Sequence, residues 1–133
     1  MPRFLAPEWI AALDEAARAA AVPPGLRLTI QQIVSADADG AHGGEVRYHL
    51  VVDGGRLRVH PGEAAGADVT FVQTRAVAGA LSRGELNAQQ ALAAGRLKLR
   101  GDIGRLAREG RALTALDDVF AAVREQTTYD DAP

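Results

Sequence analysis

The chain lacks cysteine, and it has little aromatic character, with one tryptophan and 5% aromatic residues among its 133 positions. Without cysteine there are no disulfides, thiolate nucleophiles or thiolate metal ligands. No apolar run approaches the roughly 20 residues that a membrane-spanning helix needs. The first residues, MPRFLAPEW, lack the apolar stretch of a secretory signal. We therefore expect a cytoplasmic protein.

An excess of positive charge is also missing, because the formal net charge is −2. A nucleic-acid-binding domain would normally be basic, so no nucleic-acid partner is expected. His42, His49 and His60 share no metal-ligand spacing, and neither Ser35 nor Ser82 lies in a Gly-x-Ser-x-Gly elbow. The sequence thus indicates no metal, no cofactor and no catalytic residue. We do not expect an enzyme.

The first half of the chain predicts one helix followed by four strands. Residues 7–21 place Trp9 and Leu13 on one side at helical spacing, and Pro23 stops the helix. The stretches LRLTIQQIV, VRYHLVV, RLRVH and DVTFVQ each alternate apolar and polar residues, which is typical of half-buried strands. Such strands favour an antiparallel meander with one apolar and one polar face.

In the second half of the chain, the apolar residues recur at helical spacing. A helix capped by Thr74 is expected to end at Gly84. The stretch NAQQALAAGRLKLRGD, residues 87–102, then predicts a capped two-turn helix and a short strand with inward leucines. Asp102 can cap a further helix, and residues 114–126 predict the last one. The expected fold is α+β, a five-stranded mostly antiparallel sheet covered on one face by helices.

The run ADVTF, then SRGELN and AQQALAAGRLKLRGD, resembles the sterol carrier protein type 2 (SCP2) family. Members show a similar strand and helix before a Gly-Lys-Leu-Lys-(apolar)-Lys-Gly-Asp/Asn segment. The likeness is strongest over residues 25–106, with residues 1–24 forming an N-terminal helix and residues 114–126 an additional C-terminal helix. The resemblance implies a single SCP2-like domain over residues 1–133, a small stand-alone bacterial member. It also implies an apolar tunnel between sheet and helices.

A tunnel of this kind needs shape and no catalyst. An acyl chain is bound by its removal from water, worth about 0.8 kcal/mol per buried methylene. The expected function is non-enzymatic binding and transfer of a fatty acyl chain, acyl-CoA, sterol or prenyl-like lipid. The predicted lining residues are Phe71, Val77, Leu81, Leu86, Leu92, Leu97, Leu99, Ile103, Leu106, Leu116 and Phe120. The simpler interpretation is that these residues are packing core.

The alternative function is a protein–protein interaction or dimerisation module, accessory to a lipid- or quinone-related enzyme and itself a homodimer. The two hypotheses differ in the last helix. A carrier would place Leu116, Val119, Phe120 and Val123 over the tunnel mouth, whereas an interaction module would place them against another subunit.

The polar strand face is rich in cations. It carries Arg27, Arg47, Arg56, Arg58, Arg96, Lys98 and Arg100. This basic face would allow transient contact with an anionic membrane surface. The alternative is a solvated face whose charges are balanced by Glu45, Glu63 and Glu85.

Overall fold

A computed structural model describes residues 2–20, 22–35 and 44–129, so that His42 lies outside the described residues. The elements in chain order are α1 (Pro7–Arg18), β1 (Leu28–Ser35), β2 (Val46–Asp53), β3 (Arg56–Pro61), β4 (Val69–Thr74), α2 (Arg75–Arg83), α3 (Ala88–Ala93), β5 (Lys98–Gly101), α4 (Ile103–Arg108) and α5 (Arg111–Arg124). This order of helices and strands matches the predicted one.

The five strands form one sheet in the order β3-β2-β1-β4-β5. Three of the four pairings are antiparallel, which confirms the five-stranded, mostly antiparallel sheet. The predicted meander of the first four strands is wrong, because β4 pairs with β1 and runs parallel to it, with Ile30 opposite Val69. This placement puts β4 between two strands, where Val69 and Phe71 are fully buried.

One face of the sheet carries the hydrophobic core. The period of two places alternate residues of each strand on that face, for example Leu28 and Ile30 of β1. On this side α1 packs along β3, α2 packs on β4, and α5 packs on α1 and α2. The helices therefore cover the apolar face in a single layer.

The N-terminal helix is anchored to the sheet edge by one carboxylate. Asp14 Oδ1 accepts a hydrogen bond from Arg58 Nε at 2.9 Å, and Asp14 Oδ2 accepts one from Arg58 Nη2 at 3.0 Å. Asp14 Oδ1 also accepts the Val59 backbone N–H at 2.8 Å. The Arg58 guanidinium beside it holds the pKa of Asp14 well below its usual range. One side chain thus joins α1 to the outermost strand.

Two helix boundaries differ from the prediction. Helix α1 ends at Arg18, and Ala21, the predicted last residue, lies outside the described residues. Helix α5 begins at Arg111 and not at residue 114. The reason is that Ala112 and Leu113 are buried with the rest of the helix, so the apolar side extends a turn further than Thr114 suggests.

We expect Asp14→Ala to lower the free energy of unfolding at pH 7 by about 2–3 kcal/mol, because a charged hydrogen-bond acceptor is lost at four donors, the three above and Arg18 Nη2. The folded-state pKa of Asp14 is depressed, so its contribution is complete above about pH 4 and falls as the pH drops further. Urea unfolding at pH 7 and pH 3 should show the difference between wild type and variant shrinking at low pH. The exposed Asp118→Ala is the matched control, and an equal loss there would contradict the assignment.

Candidate functional site

The stretch of residues 87–102 forms one side of the apolar layer, and local signals determine its shape. Asn87 Oδ1 accepts the Gln90 backbone N–H at 2.8 Å, while Gln90 Oε1 accepts the Asn87 backbone N–H at 3.0 Å. This reciprocal capping box starts α3 as predicted. The chain then turns at Gly95, whose φ is 72°. Strand β5 follows, with Leu99 opposite Phe71 of β4.

The exit from β5 depends on a glycine. Gly101 has a φ of 99°, and a Cβ added there would lie 2.4 Å from the carbonyl oxygen of Asp68. The next residue, Asp102, donates its backbone N–H to that same oxygen at 2.8 Å. Asp102 Oδ1 also accepts the Arg105 backbone N–H at 3.0 Å, which caps α4 as predicted. A larger residue at 101 would push the strand and the cap apart.

The structure brings ten of the eleven predicted lining residues to the core. The six fully buried ones are Phe71, Leu81, Leu97, Leu106, Leu116 and Phe120. The four half-buried ones, which pack against the core, are Val77, Leu86, Leu92 and Leu99. The half-buried residues come from α2, α3, β5 and the segment between α2 and α3. Their role in contacting a ligand stays a prediction.

The inward orientation predicted for Ile103 is wrong, because its side chain is 57% exposed. In α4, Leu106 is buried and Arg105 is half-buried, as is Glu109 just after the helix. Arg105 Nη1 donates to Asp68 Oδ1 at 3.1 Å, and its other terminal nitrogen donates to the Arg27 carbonyl. These contacts determine the rotation of α4, and Ile103 is left on the outer side.

The apolar layer is closely packed around the strand face. A side chain that borders a water-sized space keeps some accessible surface. Phe71 and Ala91 keep 0% of theirs, so at these positions the layer contains no open tunnel. A ligand could enter here only if side chains or a whole segment moved aside. In the stretch of residues 86–99, three leucines are half-buried, namely Leu86, Leu92 and Leu99.

Two buried glutamines lie on the otherwise apolar face, and the predicted set did not include them. Gln32 of β1 is 2% exposed, and Gln73 of β4 is 6% exposed. Gln73 Nε2 donates to Gln32 Oε1 at 2.6 Å. A signal was present in the sequence, since the alternation in LRLTIQQIV puts Gln32 on the same face as Leu28 and Ile30.

An aromatic cluster lies beside this pair. Trp9 packs edge-on to Tyr48, with ring centroids 5.7 Å apart, and edge-on to Phe4 at 5.0 Å. The indole N–H of Trp9 is buried and has no hydrogen-bond acceptor among the described residues. Tyr48 is opposite Gln32 in the strand register, and burial raises the pKa of its hydroxyl. Buried polar groups thus occur on β1, β2, β4 and α1.

The described residues also line four surface clefts of about 370, 330, 270 and 320 Å³. None of these four is lined by any of the eleven predicted residues. The 270 Å³ cleft lies at the start of β2, where it is lined by Val46 together with Phe4 and Arg75. Val46 pairs with Val34 of β1, which in turn pairs with Gln73 of β4.

The seven predicted basic residues divide into two groups. Three are paired, Arg27 with Asp53, Arg47 with both Glu45 and Glu63, and Arg58 with Asp14. Four are exposed with no ion pair to any described residue, namely Arg56, Arg96, Lys98 and Arg100. Glu85 pairs with Arg83, outside the predicted set. We call Arg96, Lys98 and Arg100 the β5 cations.

Within residues 2–20, 22–35 and 44–129, no group of three or more acidic or histidine side chains has metal-binding geometry. No helix in the same ranges is both long and apolar enough to cross a bilayer. Residues 15–113 match the SCP-2 sterol transfer family, which is most of the chain. The chain belongs to that family. The family is one of lipid-binding domains, as its description as a sterol transfer family states.

Solved structures agree with this fold. A crystal structure of sterol carrier protein 2 aligns with a TM-score of 0.71 at 18% identity, covering 92% of this chain and 98% of that one. The solution structure of a conserved hypothetical protein from Thermus thermophilus gives 0.69 at 24% identity, covering 100% and 96%. Palmitated SCP2L2 from Aedes aegypti gives 0.59 at 23%, covering 80% and 93%. No curated protein matches the chain.

We expect Gly101→Ala to lower the free energy of unfolding by more than about 3 kcal/mol, because its methyl group would meet the Asp68 carbonyl in addition to the strained φ. Gly95→Ala is the matched control, since it has a positive φ of 72° but open space around the new Cβ. We expect it to cost about 1–2 kcal/mol. Urea unfolding monitored by circular dichroism measures both. Equal losses would mean that the contact with Asp68 has no effect.

Proposed function

We propose that this protein is a cytoplasmic carrier that binds one hydrophobic ligand chain between its sheet and its helices and transfers it. The observation that carries the proposal is the uneven closure of the apolar layer. The strand side is fully buried around Phe71, whereas residues 86–99 combine the buried Ala88, Ala91 and Leu97 with the half-buried leucines Leu86, Leu92 and Leu99. Family membership supports a ligand of the sterol or acyl-chain class.

The segment that closes the layer consists of short elements. Helix α3 has six residues, and β5 has four. Isolated helices below about 12–15 residues are marginal in water, so these elements depend on their contacts with the rest of the chain. Segments with few buried contacts open at a lower free-energy cost than the core does. We infer that a ligand enters by displacing residues 86–101 and leaves β1 to β4 unchanged.

The energetics allow such an exchange. An acyl chain of about fourteen methylenes offers roughly 11 kcal/mol when it is removed from water, before entropic costs are subtracted. Opening the layer exposes the inner sides of a few leucines, each worth about 1.5–3 kcal/mol when fully buried. The gain from the ligand exceeds that cost. The ten apolar side chains that lie in or against the core would then be packing core in the empty protein and ligand contacts in the loaded one.

The placement of α5 favours the carrier over the interaction module. Leu116, Val119, Phe120 and Val123 are all buried within the chain itself. They are therefore not available as an apolar face for a second subunit. A homodimer or an enzyme partner would need another surface, and Ile103 is the one large hydrophobic residue that stands exposed among the described residues.

We further propose that the β5 cations place the carrier on anionic membranes during transfer. Lys98 and Arg100 are exposed on β5, the strand that closes the apolar layer, Arg96 is exposed two residues before it, and Ile103 follows two residues after it. Each cation near an anionic surface is worth about 1 kcal/mol. Docking through this strand would bring the movable segment next to the lipids that supply the ligand. The other basic residues of the face contribute less, since three of them already have carboxylate partners.

The carrier proposal is tested by native mass spectrometry of the purified protein, followed by solvent extraction of any bound lipid. We expect one bound lipid for each chain. We also expect Leu99→Gln to weaken the binding of a fluorescent fatty acid about tenfold, because a polar group would face the chain in the apolar layer. Ile103→Gln makes the same kind of change on an exposed residue and should leave the affinity unchanged.

Circular dichroism on both variants checks that they are folded. A protein that takes up no lipid, or that loses affinity equally in both variants, would overturn the carrier proposal. A lipid-free dimer in the same mass spectra would support the interaction module instead.

Membrane docking is tested by sedimentation with vesicles of phosphatidylcholine alone or with 30% phosphatidylserine. We expect binding to the anionic vesicles only, and roughly 100-fold weaker binding when Arg96, Lys98 and Arg100 are all changed to glutamine, since about 3 kcal/mol is removed. The matched control changes Arg27, Arg47 and Arg56 to glutamine on the same sheet. An equal loss in the control would show that general charge, and not the β5 cations, determines binding.

A further inference from the structure

The edge of the sheet at β3 carries a cleft that is separate from the apolar layer. It has a volume of about 330 Å³ and is lined by Arg18, Gly55, Arg56, Leu57 and Arg58. Arg18 belongs to α1, Gly55 to the β2–β3 hairpin, and the other three residues to β3, the last strand on this side of the sheet. The cleft therefore brings together three arginines from a helix and an edge strand.

A ligand can reach these arginines without any movement of the chain. The Arg18 side chain is 64% exposed, and that of Arg58 is 43% exposed. Arg56 is exposed as well, while the neighbouring Leu57 is buried. In this respect the cleft differs from the apolar layer, which is closed around Phe71.

One carboxylate orients two of the three guanidinium groups. Asp14 accepts hydrogen bonds from Arg58 Nε at 2.9 Å, from Arg58 Nη2 at 3.0 Å and from Arg18 Nη2 at 3.3 Å. These bonds leave Nη1 of both arginines without an acceptor among the described residues. Because an arginine has five N–H donors, both side chains can bind a second acceptor while Asp14 holds them.

The cleft has more positive than negative charge. Arg56 has no ion pair to any described residue, and Asp53, opposite it in the strand register, pairs with Arg27 at 3.3 Å. Glu15 is exposed on α1 and is not one of the lining residues. Three guanidinium charges minus the one carboxylate charge of Asp14 leave an excess of two positive charges. The cleft is therefore complementary to an anion.

A phosphate group fits this charge and these donors better than other anions. The planar fork of a guanidinium donates two parallel hydrogen bonds to the oxygens of a phosphate. A phosphomonoester carries about −1.5 to −2 charges at pH 7 and has three free acceptor oxygens. A carboxylate or a phosphodiester carries about one negative charge and has two such oxygens, so either would leave part of the excess unbalanced.

We propose that the cleft at β3 binds the phosphate group of a phosphomonoester, with Arg18, Arg56 and Arg58 donating to its oxygens and Asp14 as a positioning residue. The phosphate belongs either to a soluble small molecule or to a lipid headgroup with a terminal phosphate. The sheet order places β3 four strand spacings of about 4.8 Å from β5, so the two strands are roughly 19 Å apart. The site is thus additional to the β5 cations and does not depend on the proposed carrier function.

The class of anion is tested by isothermal titration calorimetry with methyl phosphate and dimethyl phosphate, at pH 8 and constant ionic strength. We expect methyl phosphate to bind about tenfold more tightly, because its third free oxygen adds a charge-assisted hydrogen bond. In nitrogen–proton correlation spectra, the largest amide shifts are expected at Gly55, Arg56 and Leu57. Equal affinities for the two probes would refute the phosphomonoester class, and shifts centred on β5 would refute the cleft as the site.

The role of the cleft is tested with two single variants. Arg56→Gln removes the arginine that has no carboxylate partner, so it should weaken methyl phosphate binding about tenfold and leave the fold intact. Arg96→Gln makes the same change at another exposed arginine without an ion pair to any described residue, and it should leave the affinity unchanged. Circular dichroism checks that both variants are folded. An equal loss in the two variants would show that net charge, and not this cleft, attracts the anion.

Sedimentation with vesicles separates the two sources of the phosphate group. Phosphatidylcholine vesicles with 10% phosphatidic acid present a phosphomonoester, whereas those with 10% phosphatidylglycerol present phosphodiesters alone. A preference for phosphatidic acid that is lost in Arg56→Gln would assign the site to a lipid headgroup, and methyl phosphate binding without that preference would assign it to a soluble phosphomonoester. A protein that binds neither methyl phosphate nor phosphatidic acid would overturn the proposal, while the mass-spectrometric test of the carrier would be unaffected.

Discussion

The arrangement of the wall of the apolar layer depends on Asp68, which joins three elements at one point. Its Oδ2 accepts the Thr29 backbone N–H at 2.8 Å and its own N–H donates to the Thr29 carbonyl at 2.9 Å, which aligns β4 beside β1. Its carbonyl oxygen accepts the Asp102 N–H at the exit of β5, and its Oδ1 accepts Arg105 of α4. The far end of the segment of residues 86–101 is thus fixed, so movement of that segment would pivot there.

The sequence predicts those features of the fold that depend on residues close together along the chain. The capping of α3 by Asn87 and Gln90, the turn at Gly101 and the alternation of the strands all follow from steric or hydrogen-bonding rules that act within a few positions. The position of β4 and the rotation of α4 were not predictable in this way. Both depend on Asp68, which is separated from Thr29 and Arg105 by 39 and 37 positions along the chain.

In the candidate site, too, the sequence predicts individual residues but not the contacts between distant strands. The spacing of apolar residues along the helices and strands identified the eleven predicted lining residues, and ten of them lie in or against the core. The period of two also placed Gln32 on the apolar face, but a single strand cannot reveal that Gln73 of another strand lies within hydrogen-bonding distance. The result is a layer with two unlike sides, a fixed sheet that carries polar groups and a thin cover of short elements. In the proposed carrier, such a division would separate the recognition of a ligand from its entry.

Both outer strands of the sheet have features that oppose pairing with a second copy. At β3, Asp14 occupies the Val59 N–H that an incoming strand would need. At the other edge, β5 is four residues long, carries Lys98 and Arg100, and ends in the bend at Gly101. Short, charged and bent edges are the devices by which sheet proteins avoid edge-to-edge aggregation. In the proposed carrier, opening of the cover would displace β5, so the guard at that edge acts only in the closed form, whereas Asp14 keeps the β3 edge guarded in both forms.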